Sequence, residues 1–529
     1  MFRRAIATAP QRFTVVLLGL GMLEAARPER TEPPPLRATV WNITNRNVPY
    51  GATIGDTAAA RHLLSRATFG VRRADLERVL EIGPEAWLEK QLRPDRIDDS
   101  ALEDRLALFP AAGMDQAELY ERFPPPRALQ RELNRRGSGE RNSGEVDPEA
   151  DPEAIRKLRR ELGVQPPGRI LFDLAGAKVQ RAVYSERQLE EVMTDFWFNH
   201  FNVFFGKSAD RWLVGEYERE AIRPNVFGRF EDMLVATAQH PAMLFYLHNW
   251  RNVAPDSLRP DDPSADDPRA DPRADRFRRL PEEQRRRLLR RRGLDDRQID
   301  QIETVMRRQR ETQQGINENY ARELLELHTL GVDAGYGQDD VIEVARVFTG
   351  WGIRRPRRGQ EGPITFAYED RLHDPTDKWV LGEPVEGGSG GRGMRGMQEG
   401  LDVLARLAVH PSTARHIATK LAVAFVADDP PEAIVAELER VFLETGGDLR
   451  AVTYALFTSA GFRDPAVYGA KLKSPFELVA SALRVSDARV GPSREIVETL
   501  RGMGELPYTA QPPTGFSDEG EDWSNSGAV

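Results

Sequence analysis

Helical periodicity recurs along most of this 529-residue chain, and strand-like alternation is scarce. Apolar residues at three- and four-residue spacing fill 185–202, 229–239, 300–312, 318–330, 338–348, 396–408, 411–427, 431–443, 448–459 and 474–485. Each such segment carries an apolar stripe that must be buried against a neighbour. Before them, "AAARHLLSRATFG" stops at Gly70, and "RADLERVLEIGPEAWLEKQL" is broken at Gly83-Pro84. The best strand signal is "PITFAYEDRLHDPTDKWVLG" (363–382), where "ITFAY" and "KWVL" are expected to pair as a hairpin. The pattern predicts a mainly α protein with a small β element.

Several segments fall outside that pattern. Arg3, Arg4 and Arg12 precede the apolar run Phe13–Leu23 and the small residues Ala25 and Ala26. This is the layout of a secretory signal peptide (1–26), and the run is too short to span a bilayer. An exported protein is therefore expected, in the periplasm, cell envelope or outside the cell, with no transmembrane span in the mature chain. Residues 27–54 are rich in proline and polar residues and read as a linker, so the globular part should begin near 55. Residues 134–153 and 251–276, the latter with its tract "DDPSADDPRADPRAD" at the start of a longer insertion near 251–313, read as disordered surface loops. They hold too little apolar surface to offset the entropy of ordering. "RRRLLRRRG" (285–293) reads as a solvated helix neutralised by the acidic tract beside it.

Composition narrows the chemistry. The formal charge is −9, which does not favour nucleic-acid binding. There is no cysteine. Disulfides, thiolate nucleophiles and zinc ribbons are excluded, and any metal would need His, Asp, Glu, Asn or backbone oxygen ligands. "GGSGGRGMRG" (387–396) lacks the Walker pattern, and no G-x-S-x-G nucleophile elbow occurs.

Three stretches concentrate groups that can titrate or ligate. In "QLEEVMTDFWFNHFNVFF" (188–205), His200 shares a helix face with Met193 and Phe196, while Asp195, Asn199 and Asn202 crowd the same helix end. Buried polar groups need partners, so something polar must face them. In "GINENYARELLELHTLGV" (315–332), Asn317 is an expected N-cap and Gly331 a stop for a helix Glu318–Leu330. Asn319, Glu323 and Glu326 form one stripe beside the apolar face that carries His328. Glu318–Arg322 and Arg322–Glu326 also fit ordinary ion pairs. In "LHDPTDKWVLG", His373 and Asp374 sit in or near the expected hairpin. If the three stretches converge, His200, His328, His373 and Asp374 could hold a divalent metal, or the cluster could do metal-free acid–base work. His62, His240, His248, His410 and His416 read as structural; His240 and His410 each precede proline, which suits a helix boundary.

Taken in order, "HLLSRATFG", "DFWFNHFNV", "QHPAML", "GINENYARELLELHTLGV", "VFTGW", "HPSTARHIATKL" and "KSPFE" resemble the domain of unknown function 1800 family. The resemblance runs from about Asp56 to the end, apart from the two insertions. It implies one large multi-helix domain over 55–529, in an exported bacterial protein. It also implies a partner, an exported protein of the unknown-function-1501 family. His248-Asn249 stands where the family tends to have Asp-Asn, and a helix usually follows "QPPTGFSDEGEDWSNSGAV", so truncation after Val529 is expected. The resemblance implies no reaction. The residues themselves support two readings. One is an exported enzyme, with metal-assisted hydrolysis as its most concrete form: His200, His328, His373 and Asp374 on the ion, Glu323 or Glu326 moving protons, and Asp195, Asn199, Asn319 and Arg322 completing the site. The other is a cell-envelope scaffold whose polar cluster only locks helices together.

Overall fold

The computed structural model describes residues 57–137, 152–254, 282–291, 299, 315–354, 363–385 and 395–524. The expected signal peptide, the linker, most of both expected insertions and the expected helix 300–312 lie outside them. Among the described residues the fold is mainly helical, and one contiguous apolar core runs from Ala60 to Tyr508. None of these helices is long and apolar enough to cross a membrane.

Most of the periodic segments form helices within a few residues of their expected ends: Gln188–His200, Phe230–Gln239, Gln338–Val347, Arg395–Ala408, Pro411–Phe425, Glu432–Thr445, Leu449–Thr458 and Pro475–Val485. Local chemistry explains several starts. His240 and His410 each precede a proline at the first helical position, and their Nδ1 atoms accept from the main-chain N–H groups of Ala242 (3.2 Å) and Ser412 (3.1 Å). Ser474 and Glu477 form a reciprocal capping box. The helix Pro126–Gly137 reaches into the first expected insertion, and Pro152–Leu162 begins inside it.

The long helix Gly168–Tyr184 has no counterpart in the amphipathic pattern. The reason is that Ile170, Asp173, Leu174, Ala177, Lys178, Gln180 and Val183 are all buried, so the helix is enclosed on every side and shows no polar stripe. The expected helix Glu318–Leu330 is shorter and irregular. An α-helical turn Asn319–Glu323 opens into a π-helix Leu324–His328. Asn317 Oδ1 accepts from Asn319 N at 3.1 Å, and Gly331, at φ +93°, ends the segment.

The expected hairpin is a correction. The two segments do not pair with each other. Strand β1 (Trp351–Arg354) pairs antiparallel with β2 (Thr365–Tyr368), and β3 (Trp379–Val380) pairs with β4 (Glu383–Pro384). Trp351 is buried between Phe348 and Phe366, which draws "ITFAY" to the strand upstream. Leu381 (φ +55°) and Gly382 (φ +76°) supply two successive left-handed residues, so "KWVL" turns straight back on itself.

Arg484 ties the C-terminal helices to the rest. Its buried guanidinium donates to the carbonyls of Gly70 (2.9 Å) and Val183 (2.7 Å) and pairs with Asp75 (2.7 Å). Replacing it with methionine keeps the volume and strands those acceptors. Arg484→Met should cost about 3 kcal/mol, read as a lower urea midpoint at unchanged slope. A change below about 0.5 kcal/mol would mean that water replaces the arginine there.

Candidate functional site

Lys178 projects from the enclosed helix into a pocket between Gln188–His200 and the segment 505–523. Its ammonium lies 2.8 Å from Asp195 Oδ1 and 3.1 Å from Glu218 Oε2. The rings of Phe198 and Tyr508 flank it, with centroids 5.1 and 5.0 Å away. Burial alone would lower the pKa of Lys178, but Asp195 and Glu218 outweigh it and raise it. Lys178 is therefore a permanent cation.

Glu218 opens a π-helix, Glu218–Ile222, and accepts from Tyr508 Oη (3.0 Å) and Arg223 Nη2 (3.3 Å). Arg223 in turn grips Glu191 with two bonds of 2.7 and 2.9 Å, and Arg181 joins at 3.4 Å. Burial pushes the Glu218 carboxyl up, but Lys178 and Arg223 outweigh it and hold it down to about 2. Tyr508 adopts φ +68°, which is rare for an aromatic residue, and its carbonyl is held by Phe205 N at 3.0 Å.

Asp195 is the member of this network that opens to the pocket, with 32% of its side chain exposed. That opening leads into the pocket between aromatic rings, and burial there raises its pKa against the pull of Lys178. Glu505 lines the same pocket. Burial raises its carboxyl to about 8, with Asp195 adding to the rise, although Phe476 N donates to Oε2 at 2.7 Å. Glu505 is thus a neutral acid at pH 7, a few residues from the tyrosine that holds Glu218. The pocket encloses about 880 Å³ including its open mouth.

The mouth is framed by the C-terminal segment. Asn199 Nδ2 donates to Phe516 O (2.8 Å), and Phe516 N donates to Asn199 Oδ1 (2.7 Å). A Cβ on Gly515 would lie 2.3 Å from Asn199 Oδ1, so only glycine admits this contact. Asn202 Nδ2 donates to Ala510 O and Pro512 O at 3.0 and 2.8 Å. The polar partner of Asn199 and Asn202 is therefore the main chain of 510–516, while Asp195 takes Lys178 and His200 faces the carbonyl of His328.

The other candidate residues fall in three places. His200 and His328 meet in the core, with His200 Nε2 3.2 Å from His328 O and ring centroids 6.2 Å apart. His416 joins them, 6.1 Å from the His200 ring, with its Nε2 facing Leu327 O. Burial lowers the pKa of His200 far below its usual value and that of His328 to about 3, so both are neutral. His373 and Asp374 belong to a different buried network. His373 Nε2 is 3.1 Å from Glu399 Oε2, which also accepts from Lys378 (2.7 Å), and Asp374 pairs with Arg346 (2.9 Å). His200, His328 and His373 do not converge on one point: the His200 imidazole faces the His328 carbonyl, the His328 ring packs against His200 and Phe201, and His373 is held by Glu399 and Thr349. Among the described residues, no group of three or more His, Asp or Glu side chains is arranged to hold an ion.

Asn319 Nδ2 donates to Leu247 O (3.1 Å), and Arg322 pairs with Glu318 (3.1 Å) and Gln338 (2.9 Å) as a surface cluster. Glu323 and Glu326 are half-buried beside it, and burial raises the pKa of Glu323. None of these four lines the Lys178 pocket. Of the candidate residues, Asp195 and Asn199 do. Lys178, Glu218, Glu505 and Tyr508 were missed. The usable signal for Lys178 is the single cation inside the largely apolar run "ILFDLAGAKV".

Glu505 makes a signed prediction. Its folded pKa, about 8, lies above the unfolded value near 4.3, so the native state keeps a proton that the unfolded chain releases. That stabilisation is complete below about pH 4.3 and is lost as pH rises through 8. Histidine titration is common to the wild type and Glu505→Gln and cancels in their difference. Between pH 6.5 and 8 the wild type should therefore lose roughly 1–2 kcal/mol relative to Glu505→Gln, measured by urea unfolding. Parallel curves would mean that Glu505 is ionised in the native protein.

No curated protein and no solved structure matches the chain. A family model does match, over residues 62–529, which takes in the pocket, the histidine core and the His373 network. The chain belongs to the family described as Protein of unknown function (DUF1800).

Proposed function

We propose that this is an exported enzyme that performs metal-independent acid–base hydrolysis in the Asp195–Glu505 pocket. The observation that carries the reading is that one pocket is lined by two carboxyl groups in different surroundings: Asp195 is paired with the Lys178 ammonium, and Glu505 accepts from the main-chain N–H of Phe476. Glu505 keeps its proton to about pH 8 and can donate it to a leaving group. Asp195 is paired with the Lys178 cation at 2.8 Å and can accept a proton from water. Burial raises its basicity, which suits a general base. Lys178, Glu218 and Tyr508 act as positioning residues: Glu218 and Tyr508 fix the Lys178 ammonium, which holds Asp195 in place at 2.8 Å. Metal-assisted hydrolysis is set aside because the donor groups it needs are divided between two separate networks.

One observation favours a second reading. The charges around Lys178 pair completely, from Asp195 through Glu218 and Arg223 to Glu191, as a structural lock would. On that reading the chain is a cell-envelope scaffold acting beside an exported protein of the unknown-function-1501 family.

The test is hydrolysis of a chromogenic panel of esters, phosphates, sulfates, amides and glycosides by the purified full chain. Asp195→Asn and Glu505→Gln should each lower turnover by about 10²–10⁴-fold; Asp195→Asn also removes a partner of the buried Lys178 and should lower the melting temperature, so its turnover is read at a temperature where its melting curve shows it folded. Wild-type activity should fall above about pH 8 as Glu505 loses its proton, and a chelator should leave it unchanged. Activity that EDTA abolishes, or that neither substitution affects, would sink the reading.

A further inference from the structure

Resting on the acid–base reading of the same pocket, we infer that its substrate is an uncharged glycoside, whose sugar ring stacks on the aromatic mouth formed by Phe516 and Trp523 while its glycosidic oxygen meets Glu505.

The first argument is the charge around the pocket. Two lysines line it, and both are already engaged. Lys178 is shared by Asp195 and Glu218. Lys471 bonds the Asp428 carboxylate at 2.5 Å and the Asp518 carbonyl. Asp518 also pairs with Lys420 at 3.0 Å. A phosphate or sulfate ester entering the pocket would have to displace one of these carboxylates to find a cation, and it would meet Asp195, Glu477 and Asp518 on the way. A cationic substrate would face Lys178, which already holds the space between Phe198 and Tyr508. A neutral substrate avoids both costs.

The second argument is the shape and chemistry of the mouth. Phe516 and Trp523 are partly exposed, and their rings lie 6.2 Å apart. Both are held rather than loose. The Asn199 amide fixes the Phe516 main chain from both sides, and Trp523 Nε1 donates to Ser517 O at 3.0 Å. Fixed aromatic faces beside carboxyl groups suit a pyranose: its C–H face packs on the rings, while its hydroxyls need donors and acceptors at the edge. Aliphatic acyl groups would use the rings but supply no hydroxyls for the polar groups at the pocket's edge.

The step balances with water as the only co-reactant. Glu505 gives its proton to the glycosidic oxygen as the C–O bond breaks. Water forms a bond to the anomeric carbon, and its proton passes to Asp195. Release of the sugar and the alcohol, followed by proton exchange with solvent, restores both carboxyl groups.

The experiment uses the full chain with the 4-nitrophenyl α- and β-glycosides of glucose, galactose, mannose, xylose and N-acetylglucosamine, beside 4-nitrophenyl phosphate, sulfate and acetate. Binding of the matching methyl glycosides is followed by saturation-transfer NMR. The expected result is turnover of at least one glycoside and of none of the three esters. Trp523→Ala should raise KM about tenfold with a smaller change in kcat, and Trp523→Phe, which keeps an aromatic face, should recover most of it. Melting curves of both variants separate this from unfolding. Glu505→Gln should still bind the methyl glycoside and lose at least 100-fold in turnover. Hydrolysis of phosphate, sulfate or acetate that depends on Asp195 and Glu505 would overturn the substrate class and leave the acid–base reading standing. Neither turnover nor binding of any glycoside would also overturn the inference. Glycoside turnover indifferent to Asp195→Asn and Glu505→Gln would overturn the acid–base reading itself.

Discussion

A single buried ammonium organises the centre of this protein. Lys178 comes from a helix enclosed on all sides, and its side chain is buried at the inner end of a pocket. Burying it alone would be prohibitive. Asp195 and Glu218 meet it from two other elements, and Arg223 then balances Glu218 against Glu191. Each member requires the next, so the helix Gln188–His200, the π-turn at 218 and the enclosed helix are held in one register. An isolated buried pair is weak support for stability, but a connected set fixes geometry, because any slip leaves a charge unpaired. The left-handed backbone at Tyr508 persists because this network specifies where its hydroxyl must go.

The C-terminal segment completes what the network begins. Residues 505–523 contribute Glu505, Tyr508, Phe516 and Trp523, and they cap the helix end that carries Asn199 and Asn202. The pocket therefore exists only when residues more than 300 positions apart meet, as Asn199 and Phe516 do. Burial leaves Glu505 neutral, while Lys178 and Arg223 keep Glu218 charged.

The histidines illustrate how far residue type can mislead. His200 and His328 do come together, but their contacts are ring packing and one bond to a main-chain carbonyl. Burial leaves them neutral. His373 found a carboxylate, Glu399, inside a separate sealed cluster with Lys378. Polar groups next to an apolar stripe were rightly expected to find partners. The spacing could not say which partners, since most were main-chain groups that any residue carries.

What the sequence alone determined is local: the helical class, most helix ends where His-Pro, Ser474 or Asp448 supplies a cap, and the concentration of polar residues at 195–202. These follow from periodicity and from hydrogen bonds spanning two or three residues. The enclosed helix was illegible because burial on every side erases the amphipathic stripe. The strand pairing was illegible because Trp351 chose its partner through packing. Only the tertiary structure decided that Asp195 belongs with Lys178 and Glu505 rather than with three histidines. The physical reason is that a buried charge takes its partner from whatever segment the fold brings within about 3 Å, and sequence spacing carries no information about that distance.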